Sequence, residues 1–215
     1  MITLTIYDYP DNSEAIRQGD IFLGIPKVEI EFASGLPIPT AESEVETIPW
    51  EDIVKKGVSE TAVLPVLPVP AIVASQDCDA RWGDSITLCE IREFSEIEKD
   101  AAMAKSARMI KIITRQARWK LKWFYLPPDE TIGFDKRMGV DFFSTMRVPR
   151  EDLEKLIELR KARLKPVACD HFRERIAHFY RRYAYNEWYP LNKEEMGIYS
   201  KDHTVEPSDF YDWQK

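Results

Sequence analysis

Prolines at positions 65, 68 and 70 dictate the backbone of VLPVLPVPAIVAS, Val63 to Ser75. Each proline fixes its own φ and pushes its predecessor out of the helical region, so the run is extended. Ala71 to Ala74 then reads as a short apolar strand. It leads directly into Ser75-Gln76-Asp77-Cys78-Asp79. Gly83-Asp84 marks a turn before another strand, Ser85 to Ile91. A strand-led fold with two carboxylates and a thiol at one strand exit is the frame for the rest of the chain.

Upstream, Ile21 and Leu23 share one face of a strand and Phe22 takes the other; Val28, Ile30 and Phe32 alternate with Glu29 and Glu31 as a second strand, with Pro26 as the break. Gly35 to Pro70 is a proline-rich, acidic excursion in which PWEDIVKK suits a short helix. Ser95 to about Arg118 reads as partly helical, with Ser95 and Glu98 spaced as a capping box. Trp119, Leu121, Trp123 and Tyr125 fall on one side of an aromatic strand, and MGVDFFSTMRVP is a further strand. Leu153, Leu156, Ile157, Leu159 and Leu164 predict a helix that Pro166 ends, and a second helix follows with Phe172, Ile176, Phe179 and Tyr183 as its apolar stripe.

The 215 residues, 44% hydrophobic and 31% charged, suffice for one substantial domain with an appendage. No run of about 18 apolar residues is present, so no membrane span is expected. The start MITLTIYDYPDNSEAIRQGD does not read as a signal peptide, and Cys78, Cys89 and Cys169 follow no metal-type spacing. A cytoplasmic protein with reduced thiols is the expectation. The net charge of −7 conceals a split: residues 101–185 hold 20 Lys and Arg against 10 Asp and Glu, the remainder 10 against 27. A basic surface on an acidic protein can meet phosphates, an acidic partner or the protein's own acidic segments.

The order QGDIF, a loop, PAIVASQD, SITLCEI and GVDFFSTMRVPREDLEKL resembles the MazF/PemK-like toxin family over residues 17–94 and 119–160. The resemblance implies an α+β fold: a small SH3-like β-barrel of MazF/PemK type with a proline-rich insertion and a C-terminal helical extension. It divides the chain into a barrel domain, 1–148, with insertion 35–70 and helical segment 95–117; C-terminal helices, 149–185; and an acidic aromatic tail, 186–215. Gly19 and Asp20 match the family's Gly-Asp strand, and Ser75 its strand-end Ser or Thr. Val69 stands where the toxins carry a catalytic arginine. The family's best-known members are endoribonucleases that act as metal-free dimers, which implies a homodimer as one state of this chain.

Asp77, Cys78, Asp79 and Asp20 are the candidate catalytic residues. Together the carboxylates suit Mg²⁺ or Mn²⁺, Cys78 suits nucleophilic attack if a cation lowers its pKa, and a turn that caps backbone N–H groups is the structural alternative. No resident cofactor or metal is otherwise expected. Cys169, Asp170 and His171 are successive helical residues and point apart, and His171 and His178 are spaced for packing. The candidate binding residues are Arg108, Lys111, Arg115, Arg118, Trp119 and Lys122, together with Arg181 and Arg182: cations for phosphate and an aromatic for stacking, or else a solvated charged face. Two functions remain open. One is a non-catalytic binding module of a bacterial toxin-antitoxin or phage-defence type system, contacting RNA, DNA or a protein partner. The other is an endoribonuclease-like hydrolase.

Overall fold

A computed structural model describes residues 5–40, 44–99, 106–114, 122–181 and 194. Residues 1–179 pack as one unit and 180–215 as another. Arg115, Arg118, Trp119, Arg182 and nearly all of the acidic aromatic tail lie outside the described residues. The architecture is mixed α/β. Seven strands, β1 (Tyr7–Asp8), β2 (Asp20–Val28), β5 (Val66–Val73), β6 (Ser85–Glu93), β7 (Trp123–Leu126), β8 (Met138–Pro149) and β9 (Arg160–Leu164), form one sheet in the order β1-β9-β2-β5-β6-β8-β7. Every neighbouring pair is antiparallel. Two further strands, β3 (Leu36–Pro39) and β4 (Val45–Ile48), pair with each other.

Both faces of the central strands are buried, which accounts for their nearly continuous apolar runs. On one face Ile21, Ile72, Cys89, Ile91 and Phe142 pack under Cys169 and Phe172 of the long helix α6 (Pro166–Tyr180). On the other, Phe22, Ala71, Val73, Ile86 and Leu88 meet Ala80 of α2 (Asp77–Trp82) and Leu153 of α5 (Arg150–Lys155). A side cluster joins Phe94 and Ile97 of α3 (Phe94–Ile97), Met109 and Ile112 of α4 (Ser106–Thr114) and Trp123. The excursion carries its own small core, Leu36, Ile38 and Ile53, the last from α1 (Trp50–Lys56).

Several elements differ from the sequence reading. β2 runs unbroken through Pro26, which stands opposite Pro68 of β5, so two missing N–H donors fall on the same step of the ladder. The strand expected over Val28–Phe32 is absent: β2 ends at Val28, and Phe32–Ser34 is a single 3₁₀ turn. Ser95 lies inside α3 rather than capping it. Its hydroxyl donates to Glu93, while the buried Glu98 accepts the Trp123 indole N–H at 3.2 Å. The helix expected to run to Pro166 stops at Lys155. After a 3₁₀ turn the chain becomes β9, with Arg160, Ala162 and Leu164 inward. Its leucines fit a helix in isolation, but the period-2 pattern wins because Tyr7 and Asp20–Phe22 offer strand partners on both sides. The span of β8 agrees with the sequence reading, as do the extended β5 and the short helix α1.

Three irregularities interrupt the sheet's register; in β9, Lys161 is the extra residue opposite the step from Ile21 to Phe22. In β8, residues 142–144 stand opposite the single step from Cys89 to Glu90 in β6. In β2, Leu23 and Gly24 together oppose Pro70, and Gly24 has φ +84°. Such bulges tilt a strand and sharpen its twist. A Cβ at Gly24 would meet no atom within 4 Å, so only backbone strain opposes a side chain there. Gly24→Ala should therefore lower stability by about 1 kcal/mol, with Gly24→Asn less costly because Asn tolerates the left-handed region; urea unfolding of the three proteins measures the order.

Candidate functional site

The two strands that begin and end the sheet's central pairing meet at Asp20. Gly19, at φ +89°, turns the chain into β2, and a Cβ there would come within 3.2 Å of the Cys169 sulfur. Asp20 is fully buried and lies directly opposite Arg163 of β9. Its Oδ1 accepts from Arg163 Nε. Its Oδ2 accepts from Arg163 Nη2 at 3.1 Å, from Arg160 Nη1 at 3.1 Å and from the Arg17 backbone N–H at 3.0 Å. Four donors converge on this carboxylate, three of them on Oδ2. The side chain of Arg160 is fully buried in this pair.

The same guanidinium groups fasten the loop before β2. Arg160 donates to the carbonyls of Asp11 and Ala15, and Arg163 to that of Ala15 and, at 2.9 Å, to Glu14. Burial pulls the Arg163 pKa down, but its bonds to Asp20 and Glu14 outweigh that and hold it above its ordinary value.

Asp77 opens α2 and reaches the next residue of that loop. Its Oδ1 accepts the Gln18 backbone N–H at 2.9 Å, and its Oδ2 takes Arg173 Nη2 of α6 at 2.6 Å. Gln18 completes the joint: its amide donates to the Ala74 carbonyl at 2.8 Å, and its side-chain oxygen accepts from Arg173 Nε at 2.8 Å. The Cys169 thiol donates to the Gln18 carbonyl at 3.4 Å. Burial pushes that thiol's pKa up, and the Cys89 thiol, enclosed in the sheet, rises to about 12.

The structure therefore brings Asp20 and Asp77 to successive backbone amides, those of Arg17 and Gln18; Asp20 is held by two guanidinium groups and the more exposed Asp77 by one. Asp79 and Cys78 lie on exposed turns of α2, with the thiol 3.7 Å from the Asp79 carboxylate. The segment expected as a turn is thus a short helix. Among the described residues, no three His, Cys, Asp or Glu side chains converge as metal ligands would. Arg173 and Arg175 do not simply decorate the α6 surface. Arg175 donates to the Trp123 carbonyl at 2.6 Å with its guanidinium 5.2 Å from that indole's centre, and burial lowers its pKa.

Arg108 and Lys111 are exposed on α4, three residues apart, while Met109 and Ile112 point into the side cluster; Lys122 is half-buried at the start of β7 and Arg181 is exposed. Arg160, Arg163 and Gln18 are the residues that sequence reasoning missed. Their only local signal was the alternation of RKARL, masked by the leucines before it. No helix among the described residues is long and apolar enough to cross a membrane. No protein-family model matches the chain, and neither does any curated protein.

Asp20→Ala leaves two guanidinium groups without their shared carboxylate and should cost about 3–5 kcal/mol in urea unfolding. Asp77→Ala, at a half-exposed pair, should cost only about 1–2 kcal/mol. In a thiol-labelling time course on the native protein, Cys78 should react first. Cys89 and Cys169, buried and with raised pKa values, should react only on unfolding.

Proposed function

We propose that this chain is a non-catalytic binding module that contacts single-stranded nucleic acid through the basic surface around α4. The observation that carries the reading is the engagement of Asp20 and Asp77. Asp20 and Asp77, which hydrolysis would need, already accept from three guanidinium groups and two backbone amides. A divalent cation at Asp20 would have to displace buried arginines and would be repelled by them. Arg108 and Lys111, by contrast, face solvent on one side of an amphipathic helix whose other side is anchored by Met109 and Ile112. The +10 balance of residues 101–185 supports phosphate binding, with Arg160, Arg163, Arg173 and Arg175 of that stretch engaged inside the fold and Arg108 and Lys111 left facing solvent.

The SH3-like, MazF/PemK-type barrel belongs to the same proposal. Its support is the succession of antiparallel neighbours β2, β5, β6 and β8, bent at the Leu23–Gly24 and 142–144 bulges in the way that small sheets curl. With valine at the position of the toxins' catalytic arginine, a binding role in a bacterial toxin-antitoxin or phage-defence type system follows more readily than cleavage.

The test combines binding and cleavage: the purified chain with mixed single-stranded RNA and DNA, with Mg²⁺ or chelator, across a salt series. Retention should weaken steeply with salt and no cleavage should appear. Arg108→Glu with Lys111→Glu should weaken retention about tenfold or more, while Asp79→Ala should leave it unchanged. Cleavage abolished by Asp77→Ala or Asp79→Ala would replace this reading with the hydrolase.

A further inference from the structure

The excursion between β2 and β5 displays a second surface of opposite character. Among the described residues sixteen large apolar side chains are exposed, and ten of them fall between Val28 and Leu67. They are not scattered singly. Val28 and Val66 stand directly opposite each other at the far end of the β2–β5 ribbon. The Phe32 and Trp50 rings meet edge to face at 5.2 Å. Val54 follows Trp50 by one helical turn on α1 and is 58% exposed. The excursion's own core is Leu36, Ile38 and Ile53, so the exposed set is not what holds it together. Apolar surface clustered in this way marks an interaction site rather than ordinary surface composition.

Charge identifies the occupant. Val28 to Leu67 carries eight Asp and Glu against two Lys, a balance of −6. A symmetric pairing of two copies through this face would bring like charges together. The chain's own residues 186–215, with seven acids against three lysines, carry the same sign. We infer that the excursion is a docking surface for a basic amphipathic segment of a different protein, one that presents apolar side chains between lysines or arginines. Its apolar side would cover Phe32, Trp50 and Val54, and its cations would meet Glu46, Glu51 and Asp52 at the rim. This surface is independent of the basic face around α4, so a nucleic acid and a basic protein segment would not compete for the same groups.

The experiment uses the full chain and two labelled synthetic peptides, one of leucine and lysine at helical spacing and its leucine–glutamate counterpart, followed by fluorescence anisotropy at physiological salt. The lysine peptide should bind at least about tenfold more tightly than the glutamate peptide. Phe32→Ser with Val54→Ser should weaken it about tenfold, whereas Val167→Ser, an exposed site on α6, should leave it unchanged. Both paired positions are exposed, so the fold should survive, and circular dichroism checks that it does. Glu46→Lys with Glu51→Lys tests the charge separately and should also weaken binding. Equal binding of both peptides, no binding of either, or lysine-peptide binding that ignores the serine changes would overturn the proposal. So would sedimentation of the free chain as a dimer that the serine changes dissociate, since the occupant would then be a second copy. Nucleic-acid retention measured on the same serine variant should match the unaltered chain, so failure here leaves the reading of the α4 surface standing.

Discussion

The Asp20 carboxylate joins parts of the chain that are about as far apart in sequence as any within residues 1–179. Arg160 and Arg163 reach it from β9, and the same two guanidinium groups bind the carbonyls of Asp11 and Ala15. This ion cluster is buried, so its value lies less in net stability than in what it forbids. With Asp20 opposite Arg163 and Phe22 opposite Arg160, a one-residue slip of β9 would move both guanidinium groups off Asp20 and leave charges buried without partners. The register of β9 on β2 follows, and with it the position of the loop before β2. That loop in turn presents the Gln18 amide to Asp77, and Arg173 of α6 closes onto the same carboxylate. One buried carboxylate thus orders the end of the sheet where β2, β9, α2 and α6 come together.

This arrangement also separates two roles that acidic residues play here. At the sheet end they act as counter-ions for arginines drawn from distant strands and helices. In the excursion they share the surface with exposed apolar side chains, and three of them meet lysines: Glu29 pairs with Lys27, Asp52 with Lys55 and Glu60 with Lys56. The first use is internal and leaves little charge for a partner. The second gives the molecule a face that is apolar and negative, while the Arg108–Lys111 face of α4 is positive. Exposed charge of both signs on separate elements favours association with different partners through steering as much as through contact.

Much of the fold could be read locally. The prolines at 65, 68 and 70 place β5, Pro49 with its following acids places α1, and the run from Met138 to Pro149 is β8 over its full length. The failures have a common cause. Leu156, Ile157 and Leu159 continue a helical period from α5, yet the chain turns there because β9 can bury Ala162 and Leu164 in the sheet and bring Arg160 to Asp20. Pro26 reads as a strand break because a proline forfeits one ladder bond; β2 nevertheless continues, with Pro68 opposite, so both missing donors fall on one step of the ladder. The candidate site was legible by half. Asp20 and Asp77 stand out in the sequence as acids at a strand entry and a strand exit, but the arginines that hold them lie some 100–140 residues away in sequence.

Sequence alone determined the extended backbone at the prolines, the apolar runs of the central strands and the uneven division of charge. Each follows from the covalent limits on φ, from the need to bury apolar area or from composition, and none depends on a distant partner. Tertiary structure alone decided that RKARL is a strand and that Asp77 caps the Gln18 amide rather than its own turn. It also decided that Asp20 faces two guanidinium groups. Those outcomes depend on which groups meet across the sheet, where a buried charge is tolerated only with its counter-charge beside it, and no local pattern encodes that meeting.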